Sequence, residues 1–140
     1  MQCNLCKVLK EKKEVVFENK YAACILNSHP LTKAHLMVIP KRHVENLSDL
    51  TKNERADLLE LVGKASILVQ RYRKVDYCLI YVKEGSIKTE PHLHVHILPV
   101  RVPIRHLIAK FLKVAAKKKV SLKELLKVKE ELQEVMKNNF

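Results

Sequence analysis

Residues 92–98 read His-Leu-His-Val-His-Ile-Leu, set between Pro91 and Pro99, and this alternation constrains the chain more than any other stretch. Polar and apolar residues alternating over seven positions have the period of a strand, not of a helix. Side chains at i, i+2 and i+4 of an extended chain share one face. His92, His94 and His96 are therefore expected in a row, with Leu93, Val95 and Ile97 turned the other way into a core. Three imidazoles on one face supply proton donors, acceptors, nucleophiles and metal ligands near neutral pH. The plain alternative is a half-exposed strand that merely carries histidines. Against it, three of the chain's seven His fall inside this one short stretch.

A chain of 140 residues suits a single domain with a real core. No apolar run approaches the roughly 20 residues that cross a bilayer, so no membrane partner is expected. Residues 1–20 contain a charged Lys10-Glu11-Lys12-Lys13-Glu14 run and no apolar signal core, which points to a cytoplasmic location. In a reducing compartment the pair Cys3-x-x-Cys6 reads as metal or redox chemistry rather than as a disulfide. Two thiolates at this spacing can share one Zn²⁺, but a tetrahedral structural site needs two further ligands. Cys24 and Cys78 stand inside apolar runs and read as small buried hydrophobes. The net charge of +12 favours anionic partners such as nucleotides, polyphosphates or nucleic acid; the bland counterpart is a Lys-rich solvated surface. With Gly63 and Gly85 as the only glycines, a Gly-rich phosphate loop is excluded.

Taken in order, Cys3–Cys6 reads as a compact knuckle. Val15–Phe17 and Tyr21–Leu26 follow as a hairpin turned by Glu18-Asn19-Lys20, and His35–Ile39 as a third strand ended by Pro40. Thr51 and Glu54 form a capping box, and Leu58, Leu61, Val62, Ala65, Leu68, Val69 and Tyr72 recur at helical spacing, predicting a helix over Lys52–Arg73. A strand over Asp76–Val82, a turn at Glu84-Gly85-Ser86 and the histidine strand complete an α+β order around an antiparallel sheet with one long central helix. Beyond Pro103 the composition changes. Residues 100–120 hold Arg101, Arg105, Lys110, Lys113 and Lys117–Lys119 without one acidic residue. Ser121 and Glu124 form a second capping box, opening a helix with a stripe of Leu122, Leu125, Leu126, Val128, Leu132, Val135 and Met136 that needs burial against the sheet, a preceding helix or a second subunit.

The triad, together with Leu26-Asn27-Ser28-His29-Pro30 and Ala34-His35-Leu36-Met37-Val38-Ile39-Pro40-Lys41-Arg42-His43, resembles the histidine triad (HIT) superfamily across roughly residues 3–101. The resemblance implies a HIT-like domain over 1–102, with 103–140 a basic helical extension of it, and a homodimer. It implies a nucleotide hydrolase or nucleotidyl transferase acting at phosphorus of nucleoside phosphoramidates or dinucleoside polyphosphates, with phosphate as an acceptor in place of water not excluded. His94 would be the nucleophile and His96 a donor to a nonbridging oxygen; no organic cofactor is implied. Members with an N-terminal C-x-x-C complete a structural Zn²⁺ site with two His, which map to Cys3, Cys6, His43 and His92. Asn27 resembles the residue that holds the ribose hydroxyls, and His35 the His that begins the neighbouring strand. Thr89 keeps a hydroxyl for phosphate or leaving group. Where the family usually has Asn and then Gly-Gln-Ser/Thr, this chain has Lys83 and then Ile87-Lys88-Thr89 in a shorter turn, and Ala34 replaces a common Gly. Lys83, Lys88 and Arg101 would suit a long, highly charged phosphate chain. Two other readings stand beside this one: a nucleotide- or nucleic-acid-binding module with a silent triad, and a hydrolase whose triad binds a catalytic metal.

Overall fold

The computed structural model describes residues 3–86, 88–113 and 119–139, and the chain divides into two compact units, Met1–Val102 and Pro103–Phe140. In the first unit, helix α1 (Asn4–Glu11) precedes strands β1 (Val15–Glu18), β2 (Ala22–Leu26) and β3 (Leu36–Pro40). Helix α2 (Lys52–Arg73) then leads to β4 (Cys78–Val82) and β5 (Val95–Pro99). The strands form one sheet in the order β1-β2-β3-β5-β4, each neighbouring pair antiparallel. This is the expected α+β architecture.

The alternation of the histidine stretch sorts its side chains as the period demands. Leu93, Val95 and Ile97 join Ala22, Cys24, Leu36 and Val38 in a core closed by Leu58, Leu61, Ala65 and Val69 of α2. Burying each large side chain of that stripe stabilises the fold by about 1.5–3 kcal/mol. On the other face Ala23, Ile25, Met37 and Ile39 pack with Leu5, Val8 and Leu9 of α1. The sheet thus lies between the two helices, and the triad imidazoles emerge on the α1 side.

Two local expectations change. The N-terminal knuckle is the start of a helix: Cys3 is its N-cap, its Sγ accepting from the Cys6 N–H at 3.4 Å, and Lys12 ends it at φ 64°. The short apolar stripe of Leu5, Val8 and Leu9 packs it on the sheet. The triad stretch is also not strand throughout. The ladder begins at Val95, where Val38 and Val82 are its partners, while the Leu93 N–H donates instead to the Val44 carbonyl at 2.7 Å. Ala34 stands at φ 66°, the left-handed region that favours glycine, so its methyl costs roughly 1 kcal/mol.

The second unit holds α3 (Arg105–Phe111) and α4 (Leu122–Asn139). Ser121 and Glu124 make the expected reciprocal cap, at 3.1 and 3.3 Å. The stripe of α4 that was expected to be buried remains open in the single chain, with Leu122 70% and Leu126 46% exposed. Ile87, Lys117 and Lys118 lie outside the described residues.

Helix α2 starts where its capping box predicts. The Glu54 N–H donates to Thr51 Oγ1 at 3.2 Å, and the Thr51 N–H returns to Glu54 Oε2 at 2.8 Å. Glu54 is buried and also takes two bonds from the Arg42 guanidinium, both 2.8 Å. Arg42, followed by the Thr51 amide, holds the Glu54 carboxyl down to about 2. Such a group stabilises the fold fully above its unfolded pKa near 4.5, and the contribution fades as pH falls toward 2. Glu54→Gln is expected to lower stability at pH 7 by roughly 1–2 kcal/mol, a modest figure because the Arg42 end is half exposed. Denaturant melts should show the deficit shrinking between pH 4.5 and pH 2.

Candidate active site

Four side chains from three parts of the chain converge beside the start of α1. Cys3 Sγ lies 3.5 Å from His92 Nδ1, and Cys6 Sγ lies 3.4 Å from both His92 Nδ1 and His43 Nδ1. All four ligand atoms fall within 4.8 Å of one another. Ligand atoms around a tetrahedral Zn²⁺ stand roughly 3.3–3.8 Å apart, given Zn–S and Zn–N bonds of about 2.3 and 2.0–2.1 Å. The donor set therefore fits a metal ion. The His92 Nε2–H donates to the Pro40 carbonyl at 2.8 Å, which leaves Nδ1 as the lone pair facing the sulfurs. Burial pushes the Cys3 thiol up to about 11, so two thiolates side by side here call for a cation. Cys24 is buried and Cys78 half-buried in the core, away from this group.

His92 also fixes its neighbour. The His94 Nδ1–H donates to the His92 carbonyl at 2.7 Å, so the unprotonated nitrogen of the neutral ring is Nε2. A second chain of bonds orients His96. The Leu31 N–H donates to His35 Nδ1 at 3.1 Å, which places the proton of that ring on Nε2. His35 Nε2 lies 2.9 Å from His96 Nδ1 and donates to it, so His96 carries its own proton on Nε2. Burial lowers both rings; for His96, the charges of His94, His35 and Lys83 add to this and bring it to about 4. Near neutral pH His96 is an uncharged hydrogen-bond donor.

His94 and His96 line a cavity of about 530 Å³, and Asn27, Lys83 and Thr89 line it with them. That volume suits a small-molecule ligand. Asn27 Oδ1 accepts the His29 N–H at 2.9 Å and keeps a second lone pair. His35 stands behind His96. Two residues expected at the phosphate chain are held elsewhere. Lys88 Nζ donates to the Glu45 carbonyl at 2.6 Å, and Arg101 Nη2 to the Arg73 carbonyl at 3.2 Å, where the end of α2 leaves carbonyls open. Arg101 faces a separate cleft with Lys74 and Asp76. Several neighbours were not anticipated. Tyr81, paired across the ladder with His96, stacks on its ring at 4.4 Å and 9°. Leu5 and Val8 of α1 wall the cavity, as does Glu14. The helical spacing of Leu5, Val8 and Leu9 is a usable signal; Tyr81 has none without the strand register.

The family model for the HIT domain matches residues 8–103. The chain belongs to the HIT family. Among curated proteins this HIT chain is similar to the Caenorhabditis elegans nitrilase and fragile histidine triad fusion protein NitFhit, 35% identical over 89 residues, which are 62% of this chain and 20% of that one. It is similar also to the asymmetrical bis(5'-nucleosyl)-tetraphosphatase of Schizosaccharomyces pombe, 34% identical over 88 residues, 61% of this chain and 48% of the relative. The HIT chain thus spans half or less of the length of these relatives. A hypothetical protein from Leishmania major superposes over 98% of this chain and 97% of its own, with a TM-score of 0.70 and 25% identity.

The burial of His96 is directly measurable. In an NMR titration one imidazole, lost in His96→Gln, is expected to titrate near pH 4 rather than near 6.5. Because the folded state resists that proton, stability should fall as pH drops from 6.5 toward 4. A midpoint near 6.5 would contradict the burial described.

Proposed function

We propose that this HIT protein is a nucleotide hydrolase or nucleotidyl transferase acting on dinucleoside polyphosphates or nucleoside phosphoramidates through a covalent nucleotidyl-His94. The observation that carries the reading is the 2.7 Å bond from His94 Nδ1–H to the His92 carbonyl, because it reserves Nε2 for attack. His94 Nε2 forms a bond to the α-phosphorus as the bond to the leaving phosphate oxygen or amine breaks. Water, or phosphate in the phosphorylase variant, then displaces the imidazole as the P–N bond breaks, releasing the nucleoside monophosphate with water or the diphosphate with phosphate. His96 Nε2–H donates to a nonbridging oxygen as charge builds there. Asn27 holds the ribose hydroxyls, His35 orients His96, and Lys83 and Thr89 meet the phosphate chain. The S. pombe relative, an asymmetrical bis(5'-nucleosyl)-tetraphosphatase, supports a polyphosphate-bridged substrate. Lys88 and Arg101 are not among the residues that line the cavity.

His94→Ala should abolish turnover of diadenosine and diguanosine tri- and tetraphosphates while the variant still binds mononucleotide. Loss of an essential nucleophile costs several orders of magnitude, far beyond packing effects. Retention of about a tenth of the wild-type rate, a deficit of only ~1.4 kcal/mol, would rule out covalent catalysis by His94.

Cys3, Cys6, His43 and His92 hold one structural Zn²⁺ in this proposal. All four positions are protein ligands, so the ion ties α1 to the triad and leaves no open site for a reacting group. Metal analysis should find one zinc per chain, and Cys3→Ser should lose it with a marked drop in melting temperature. A chain that purifies without metal in the absence of chelators would contradict the assignment.

The protein acts in the cytoplasm, as its free cysteines suit, and as a homodimer. Support for the dimer comes from the open face of α4. Lys123, Lys127 and Lys129 outnumber Glu124 and Glu130 in its first half, and Glu131 and Glu134 outnumber Lys137 in its second. A second copy packed antiparallel on that face brings opposite charges together while covering Leu122, Leu125 and Leu132.

A further inference from the structure

Among the described residues, two buried side-chain polar atoms lack a hydrogen-bond partner, Glu14 Oε2 and His96 Nε2, and both residues line the same cavity. A buried polar group left unpaired is costly, and a pair of them in one cavity describes what should fill it. The two make opposite demands. His96 Nε2 carries a proton and requires an acceptor, which a phosphate oxygen supplies. A carboxylate is acceptor-only and requires N–H or O–H donors. The register runs His96, Met37, Ile25, Val15 across the sheet, so Met37 and Ile25 lie between His96 and the strand that follows Glu14, and with Leu5 and Val8 they give the cavity an apolar wall suited to the face of a planar ring. The filling molecule is therefore an anion at one end and a planar group with donors on its edge at the other.

Guanine fits that edge and adenine does not. Guanine offers N1–H and N2–H₂ side by side, matching the two oxygens of one carboxylate. Adenine offers N6–H₂ beside the bare N1 acceptor, which a carboxylate repels. Hypoxanthine retains N1–H alone. The Asn4 amide, on the same cavity lining, supplies a donor for guanine O6.

We infer that the base end of this cavity selects guanine, with Glu14 as the selecting residue, so that the substrates are guanosine-containing phosphates. The inference rests on the proposed function only in placing phosphate at the triad. Glu14 touches the base and not the reacting phosphorus, so its substitution acts on which nucleotide is bound.

Equilibrium titration of wild-type protein with GMP, IMP and AMP tests this without turnover. GMP should bind at least about tenfold more tightly than AMP, the scale of a good bidentate contact, with IMP between them. Glu14→Gln should weaken GMP, leave AMP little changed and bring their ratio close to one. His94→Ala should keep the wild-type preference. AMP binding as tightly as GMP in the wild type would overturn the inference, whatever the folding of any variant. A GMP preference that survives Glu14→Gln unchanged would overturn the role of Glu14. Guanine preference without turnover would sink the catalytic reading alone, and turnover without base preference would sink this one alone.

Discussion

The bond from the His92 Nε2–H to the Pro40 carbonyl is the interaction on which the rest of the site depends. It joins the end of β3 to the segment that enters β5, two strands paired in the sheet. It also settles the tautomer of a fully buried imidazole, so that Nδ1 faces Cys3 and Cys6. The backbone carbonyl of the same residue takes the proton of His94. One side chain thus sets the lone pair offered to the thiol pair and, through its main chain, the lone pair offered to the cavity. Any slip of β5 against β3 by one residue would turn the histidines toward α2 and break both arrangements together.

The imidazoles are given different protonation patterns by purely local means. His94 donates its Nδ1–H back to a carbonyl, leaving an acceptor forward; His96 Nδ1 accepts a hydrogen bond from His35 Nε2–H, leaving a donor forward. The asymmetry begins at a backbone amide, that of Leu31, which cannot act as an acceptor. Burial then keeps the His96 ring neutral near pH 7. The two rings stand 4.8 Å apart, centre to centre, and each is committed to one tautomer by its own partner. Tyr81, stacked on His96, restricts the rotation of that ring.

The parts of this fold that obey a period or a cap were legible in the sequence. The triad alternation placed Leu93, Val95 and Ile97 in the core, and Thr51 with Glu54 marked where α2 begins. The convergence of Cys3, Cys6, His43 and His92 was also accessible, through resemblance, although their separation along the chain hides it from spacing alone. What escaped has physical reasons. Helix α1 is short, and its apolar stripe runs into the charged stretch Lys10–Glu14. Lys88 and Arg101 have long side chains whose direction is decided by whichever carbonyl is left open nearby, those of Glu45 and Arg73 here. Glu14 reads as one more surface charge until the strand hydrogen bond between the Leu26 N–H and its carbonyl shows it folded alongside the cavity wall.

Helix α1 has two uses that a longer or more polar helix could not combine. Its N-cap, Cys3, and the first-turn Cys6 face His92 and His43, while Asn4, Leu5 and Val8 line the cavity. The helix has only eight residues and a single fully buried side chain, Leu5, so its own packing gives it little hold on the sheet. Isolated helices of this length are not stable in water. A metal ion bridging both of its thiols to His43 and His92 would supply the missing hold, and through it the proposed base site would depend on the ion without being touched by it. The charge that the ion would neutralise and the wall that it would steady belong to the same short helix, which is why α1 bears on the proposed base site.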